Sequence, residues 1–340
     1  MILSTPLAAW LAFALCALFI TIAGTFLSRY GDVIADKTGF GGTWIGLVLL
    51  ATVTSLPELV TGASAVVLAS APNLALGDIL GSCVFNLLLL TILDIIMRQE
   101  SVFSRASRGH ILSAGFGVLL LGFIGFNLLL GNRAPQVNIG HLGAYSVVIV
   151  LIYAVAMRTV FRYERAEHAA YTEERAERYP DISLRQAIWR YAGAATTVVA
   201  AGIWLPFVGK ALAESMGWHQ TFVGTLFVAV ATSLPEAVVT ISALRIGALD
   251  MAVSNLLGSN LFNGLLVAVD DLLYLKGPIL ADVSPLHGLS ALSAIMMNGV
   301  AIIGLLFRPR ERLLHIMGWT SLMIFSLYLL NTLLLYLHGE

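Results

Sequence analysis

Charged residues are scarce in this chain of 340 residues: only 11% are Asp, Glu, Lys or Arg, whereas 58% are hydrophobic. Soluble domains carry roughly 25% charged residues, so the composition excludes a domain that faces water all round. Runs of about 20 apolar residues recur along the whole sequence, and each run is long enough to cross a bilayer as a helix. The sequence therefore predicts an all-α integral membrane protein whose surroundings are the lipid bilayer.

Cysteine and clustered histidine are also lacking. The two cysteines, Cys16 and Cys83, both lie in apolar segments, which excludes a disulfide framework or a cysteine-based zinc site. The seven histidines show no pairs four residues apart, and no His-Glu-x-x-His sequence is present. No Lys or Arg precedes the first apolar run, so that run does not have the form of a cleaved signal peptide. We expect no enzyme activity, no cofactor, no nucleic-acid partner and no obligatory protein partner.

Ten apolar segments have the length of membrane-spanning helices. If the N-terminus lies outside, most of the 19 basic residues fall in inner segments, and three fall outside. This asymmetry follows the positive-inside rule and predicts ten helices in the plasma membrane with both termini outside. The predicted spans lie near residues 8–28, 43–69, 74–97, 110–131, 141–161, 188–209, 221–244, 250–274, 286–307 and 313–336, and the three outer basic residues are Arg133, Lys210 and Lys276.

One short sequence motif occurs twice, in two of the predicted spans. Thr54-Ser-Leu-Pro-Glu58 returns as Thr232-Ser-Leu-Pro-Glu236. Further along each copy, Gly81-Ser-Cys-Val-Phe-Asn86 returns as Gly258-Ser-Asn-Leu-Phe-Asn263. The duplicated stretches therefore share a carboxylate, a proline, hydroxyls and an amide at the same spacings.

The repeat divides the chain into two halves. Its copies cover residues 43–90 and 221–267, and each half has five spans, so the second copy must cross the membrane in the opposite direction. We predict a first half at 1–161, a cytoplasmic linker at 162–187 and an inverted second half at 188–340. Inverted repeats with a binding site near the membrane midplane are a recurring plan of secondary transporters.

The carboxylates of Glu58 and Glu236 are the main functional candidates. A charge inside a membrane span costs at least ~2.5–3.5 kcal/mol, so an intramembrane glutamate marks a functional site by default. Pro57 and Pro235 cannot donate to the carbonyls four residues earlier, which leaves backbone oxygens in the same region. Such irregular backbone is tolerated within a membrane only where it lines a cavity or is buried in protein.

The other polar side chains of the repeat complete an all-oxygen set. Hard cations such as Ca²⁺ prefer six to eight oxygen ligands that include carboxylates. A serine and an asparagine four residues apart share one helical face and could add to the set, although such residues also join helices in membranes. The candidate ligands besides the two glutamates are Thr54, Ser55, Ser82, Asn86, Thr232, Ser233, Ser259 and Asn263.

The duplicated motifs resemble the α-repeats of the sodium/calcium exchanger family, within the calcium/cation antiporter superfamily. The resemblance implies ten helices in two inverted halves around a four-helix core, and exchange of several Na⁺ for one Ca²⁺ by alternating access. It implies that Glu58 and Glu236 are ligands shared between the two ions, and that the first and sixth spans slide over the core. It further implies backbone-carbonyl ligands at Ala51 and Ala229.

Two positions depart from the family pattern. Cys83 stands where members often have an asparagine, and Asn263 stands where some have an aspartate. Only two evident carboxylates then remain in the core, which leaves Na⁺ or H⁺ open as the coupling ion. A proton-coupled exchanger of Ca²⁺ or other divalent cations is therefore the alternative, and a cation channel is a further one that would need a continuous pore.

Three aspartates lie near span ends, and each allows more than one interpretation. Asp78 aligns with Asn255 in the second repeat, and could line an ion path or cap a helix entrance. Asp270 and Asp271 could attract cations, but their position near Lys276 favours carboxylates at the membrane interface without a specific function.

Overall fold

The computed structural model of the chain consists almost entirely of helices that pack side by side. It describes residues 5–38, 52–97, 100–131, 137–168, 179–245, 247–309 and 316–338. In these ranges, eight helices are long and apolar enough to cross a membrane, and one further span is bent by 45°. The predicted second span, 43–69, lies partly outside the described residues, so its full length and the count of ten stay predictions.

The described residues of the first half form six helices and a small antiparallel hairpin. Gly140 makes the hairpin turn with a left-handed φ of 67°. The elements are α1 (Pro6–Lys37), α2 (Leu56–Val67), α3 (Pro72–Ile96), α4 (Val102–Arg105), α5 (His110–Leu130), β1 (Asn138–Ile139), β2 (Leu142–Gly143) and α6 (Ala144–His168).

The second half begins with the longest helix and includes the bent span. That span consists of α8 and α9, joined by one turn of π-helix, followed by α10. The elements are α7 (Leu184–Met216), α8 (Gln220–Val223), a π-helix (Gly224–Val228), α9 (Ala229–Thr232), α10 (Leu234–Arg245), α11 (Leu249–Leu273), α12 (Ile279–Asp282), α13 (His287–Phe307) and α14 (Trp319–His338).

Helices extend into both ends of the predicted linker at 162–187. Helix α6 continues to His168, and α7 begins at Leu184 because Ser183 and Gln186 form a reciprocal capping box. At the start of the predicted fifth span, residues 138–143 form the hairpin instead of helix. Local capping and turn chemistry thus moved these boundaries by several residues.

Helices α3 and α11 form the centre of the molecule and are mostly buried. They pack on each other and on α2 and α10. The outer helices expose large apolar side chains such as Phe126, Leu151 and Leu333. A helix bundle with an apolar surface of this kind is suited to a lipid environment.

Glycines let the second repeat approach α3 closely. A Cβ atom on Gly81 would lie 2.3 Å from the carbonyl oxygen of Thr225 and 2.7 Å from the Cβ of Ala229. At Gly77, an added Cβ would lie 3.0 Å from the Cα of Gly224. The backbone of α3 can therefore pass directly against the π-helix and α9, as expected for small residues at membrane helix contacts.

Buried Asp94 joins the end of α3 to two other elements. Its carboxylate accepts hydrogen bonds from the backbone N–H of Val102 at 2.9 Å, the N–H of Gly318 at 3.0 Å and the hydroxyl of Ser321 at 2.7 Å. Helices α4 and α14 are thereby fixed to the core helix α3 at their N-termini, where backbone donors lack partners within the helix.

Asp271, at the position of the second half that is equivalent to Asp94, joins the end of α11 to other elements. It accepts from the N–H groups of Ile279 at 2.8 Å and Gly143 at 2.9 Å, and from the hydroxyls of Tyr145 and Ser146. The interpretation of Asp271 as an interfacial carboxylate was wrong: it is fully buried because the hairpin and α12 cover the end of α11.

The first and sixth spans, α1 and α7, pack along one another and cross the core at small residues. A Cβ on Gly24 of α1 would lie 2.3 Å from the ring of Pro235. A Cβ on Gly202 of α7 would lie 3.0 Å from the side chain of Val60. Each of the two helices thus approaches one core helix, α10 or α2, through a glycine.

We expect Gly81→Ala to lower the stability of the fold by about 1–3 kcal/mol, because the added methyl group forces α3 away from the second repeat. Gly115→Ala is the matched control, since nothing lies within 4 Å of a Cβ there. It should be neutral or stabilise α5 by about 0.5–1 kcal/mol. Apparent melting temperatures in detergent test this, and equal values for the two variants would contradict the close packing.

Candidate ion-binding site

Two helix breaks position the glutamates. The helical backbone is interrupted at Ser55 (φ −88°, ψ 14°) and at Ser233 (φ −88°, ψ 5°), each two residues before a proline. Glu58 and Glu236 then lie in the first turn of the helices that follow, α2 and α10. The unpaired N–H groups and positive dipole end of a helix N-terminus favour a carboxylate at this position.

The two halves contact each other reciprocally at this point. The hydroxyl of Ser55 donates to Oε1 of Glu236 at 3.0 Å, and the hydroxyl of Ser233 donates to Oε1 of Glu58 at 2.9 Å. All four residues are fully buried. Such exchanged contacts are what an approximate two-fold relation between the halves produces.

Ser82 connects this pair to α3. Its hydroxyl oxygen lies 3.3 Å from Oε1 of Glu58, 2.9 Å from the hydroxyl oxygen of Ser233 and 3.4 Å from the carbonyl oxygen of Ala229. The carbonyl of Ala229 therefore faces the same group of polar atoms. The corresponding residue of the first repeat, Ala51, lies outside the described residues.

The two threonines have different partners. The hydroxyl of Thr54 lies 3.5 Å from that of Ser259 on α11. The hydroxyl of Thr232 donates to Oδ1 of Asp78 at 2.7 Å. Asp78 is fully buried, so it belongs to the edge of the site rather than to a solvated helix entrance.

Asparagines join α3 and α11 beside the glutamates. The amide of Asn86 donates to Oδ1 of Asn260 at 3.0 Å, and the amide of Asn260 donates to the carbonyl oxygen of Cys83 at 3.1 Å. Asn260 was not among the predicted ligands, although its alignment with Cys83 in the repeat was a usable signal. Asn263 is buried nearby without a hydrogen-bond partner for its amide group.

Several oxygens of the site lack partners. Oε2 of Glu58, Oε2 of Glu236, and Oδ1 of Asn86 and Asn263 are buried without a hydrogen bond. Within the described residues, neither glutamate pairs with Lys or Arg, and no three His, Cys, Asp or Glu side chains converge as a metal-binding group. Buried charges of this kind require compensation, and an all-oxygen set that mixes carboxylate, amide and hydroxyl groups suits a hard cation.

The interpretation of Asp270 as a carboxylate at the membrane interface was also wrong. Its side chain is 3% exposed, and its oxygens lie 2.8 and 2.9 Å from the position that a Cβ on Gly62 would take. Gly62 is one helical turn beyond Glu58 on α2. The carboxylate of Asp270 is therefore inside the protein and near the central site, which a position close to a span end did not indicate.

The fold is that of a multi-pass membrane protein with a buried set of oxygen atoms beside two helix breaks, which is the candidate cation site. The sodium/calcium exchanger protein family matches residues 8–162 and 187–337. The chain therefore belongs to this family.

Comparison with individual proteins agrees with the family. The inner membrane protein YrbG of Escherichia coli (strain K12) is 26% identical over 237 residues, which cover 69% of this chain and 70% of YrbG. The H⁺/Ca²⁺ exchanger CAX superposes with a TM-score of 0.68 at 16% identity over 96% of this chain and 81% of CAX. The sodium–calcium exchanger NCX_Mj superposes with a TM-score of 0.59 at 19% identity over 96% and 98% of the two chains. At such identities these structures establish the fold, which both kinds of exchanger share.

The reciprocal geometry makes a prediction about the two serines. Ser55→Ala and Ser233→Ala should each weaken Ca²⁺ binding, and by similar factors of about 5–30, because each removes one hydrogen bond to a carboxylate. Thr91→Val is the control, since Thr91 is buried on the same core helix as Ser82 and bonds to the carbonyl of Ser321. Isothermal titration calorimetry of the purified proteins measures the three affinities. A large effect of one serine alone would show that the site does not use the halves equally.

Proposed function

We propose that the chain is a secondary antiporter that exchanges Ca²⁺ for Na⁺ across the membrane by alternating access. The observation that carries the proposal is the reciprocal pair of buried carboxylates, Glu58 and Glu236, each with one unpartnered oxygen. The surrounding hydroxyl, amide and carbonyl oxygens supply the further ligands that Ca²⁺ and Na⁺ use. These are Thr54, Ser55, Ser82, Asn86, Ala229, Thr232, Ser233, Ser259 and Asn263, with Ala51 as the counterpart of Ala229.

The charge of the site gives a physical basis for obligatory exchange. One Ca²⁺ neutralises two carboxylates, and so do two monovalent cations. The empty site keeps two negative charges in a low-dielectric interior, where uncompensated charge is expensive. A conformational change that carries the site from one face to the other is therefore favoured only when ions are bound, and leak without exchange is suppressed.

A proton-coupled exchange of Ca²⁺ is the second candidate, and a specific observation favours it. Asn263 supplies a neutral amide, so the reciprocal pair provides two carboxylates and no third charge at that position. Two glutamates without a basic partner in the described residues could also be neutralised by protons in place of sodium.

The proposed orientation places both termini outside the plasma membrane and the connection between α6 and α7 in the cytoplasm. Its support is the distribution of the 19 Lys and Arg residues, of which only Arg133, Lys210 and Lys276 fall in predicted outer segments. The cytoplasmic connection then joins the two halves of the carrier.

Glu236→Gln should lower counter-ion-driven Ca²⁺ uptake into proteoliposomes by about 100-fold or more, because the site would lose one of the two carboxylate charges that bind the ion. Glu214→Gln is the control, since Glu214 is an exposed carboxylate near the end of α7 and outside the core. Normal uptake by the Glu236 variant, with the protein correctly folded, would refute the assignment of the central ligand.

The driving ion is tested with the native chain. Vesicles loaded with Na⁺ and diluted into Na⁺-free buffer should take up Ca²⁺, whereas matched vesicles with only a pH gradient should not. Uptake with the pH gradient alone would establish the proton-coupled alternative. Ca²⁺ flux that needs no counter-ion would identify a channel and exclude both exchangers.

A further inference from the structure

Two more carboxylates are buried on one side of the central glutamates. Asp78 is fully buried, and only its Oδ1 atom has a hydrogen-bond partner, the hydroxyl of Thr232. Asp270 is 3% exposed, and its Oδ2 atom has no partner. Neither side chain pairs with Lys or Arg within the described residues. Most buried polar atoms in proteins have a hydrogen-bond partner, and a bound ion is one explanation for a buried carboxylate oxygen that has none.

The helices place both aspartates at the same level. Asp78 is four residues before Ser82 on α3, and therefore one helical turn from the central site. Asp270 lies over Gly62, which is one turn beyond Glu58 on α2. Both carboxylates therefore lie one helical turn from the central glutamates, Asp78 on α3 and Asp270 on α11 against α2. Relative to the central glutamates, Asp78 and Asp270 both lie toward the end of the bundle where α3 begins and α11 ends. This end is the predicted outer side.

The equivalent level on the opposite side of the core is neutral. The repeat places Asn255 opposite Asp78, Leu93 opposite Asp270 and Thr240 opposite Gly62. There the amide of Asn255 donates to the hydroxyl of Thr240 at 3.3 Å. Because Gly62 has no side chain, the carboxylate of Asp270 can occupy the space beside it. At the equivalent position in the other repeat, the side chain of Thr240 occupies that space. The centre of the molecule is reciprocal, but this level is acidic on one side only.

We propose that Asp78 and Asp270 form a second cation site, which holds Ca²⁺ in transit between the central glutamates and one face of the membrane. Two buried carboxylates at one level of the core, with unpartnered oxygens and no basic neighbour in the described residues, match the charge and ligand chemistry of a hard divalent cation. The assignment of Ca²⁺ rests on the proposed function. The second site makes the two access routes unequal, because a cation meets a negative layer on one route and a neutral one on the other.

Equilibrium dialysis with radioactive calcium tests the site directly. Glu58→Gln combined with Glu236→Gln removes the central charges, and this double variant should keep one weaker Ca²⁺ site. Adding Asp270→Asn, or Asp78→Asn, should weaken the remaining binding by about tenfold or more, because one of two carboxylate ligands is lost. Asp78→Asn introduces the residue type that the other repeat has at Asn255, so the fold should tolerate this substitution.

Asp250→Asn is the control in the same background. It neutralises a carboxylate at the other end of α11, and the repeat carries Asn73 at the equivalent position. Residual Ca²⁺ binding should be unchanged by this substitution. No residual binding in the double variant, or residual binding that Asp270→Asn does not weaken, would overturn the proposal.

Sided transport provides an independent readout in the otherwise native chain. Asp270→Asn should raise the KM for Ca²⁺ about fivefold or more when Ca²⁺ is added from the side where α11 ends, and leave the KM from the opposite side unchanged. Equal effects on both sides, or a changed pH dependence without a changed KM, would overturn the proposal. If the native chain shows no counter-ion-dependent flux, the proposed function fails, and the dialysis result alone decides whether the second site exists.

Discussion

The burial of two facing carboxylates is the constraint on which the structure depends. Glu58 and Glu236 lie inside a helix bundle without basic partners in the described residues, and each accepts a hydrogen bond from a serine of the other half. The helix breaks at Ser55 and Ser233 are needed to bring helix N-termini to this point. A bound cation or a proton would compensate the remaining charge of the pair, so the function that we propose depends on the same residues that the fold must accommodate.

Much of this arrangement could be predicted from the sequence because it is duplicated. A proline three residues after a threonine, followed by a glutamate, identified both breaks, and the polar residues of the second motif lie on the core helices α3 and α11. The membrane-length helices were also predictable, since a run of about 20 apolar residues has few alternatives. The break itself occurs at the serines because the missing donor of each proline acts on the preceding turn.

Other features depend on contacts between residues distant in sequence. Asn260 forms its hydrogen bonds with residues of α3, and apart from its alignment with Cys83 in the repeat, no local pattern distinguishes it from a residue that merely joins helices. Asp270 and Asp271 are three and two residues from the end of α11, but the hairpin near residue 140 and α12 fold back over that end. The burial of these two aspartates therefore could not be inferred from their position near the end of a span in the sequence.

The positions of Asp94 and Asp271 have a mechanical consequence. Each aspartate ties a core helix to the N-terminus of the last helix of the other half: Asp94 binds α14 and Asp271 binds α6, each through several hydrogen bonds to its carboxylate. Core and peripheral helices are thereby assembled into one stiff frame. Helices α1 and α7 instead cross that frame at Gly24 and Gly202, where a hydrogen atom takes the place of a side chain and the contact surface is smooth. On α7 one hydrogen bond, from the hydroxyl of Ser64 to the carbonyl oxygen of Ile203, adds to this contact. Within the described residues, fewer polar attachments to the core than α6 and α14 have are consistent with the sliding movement of the first and sixth spans that the family resemblance implies.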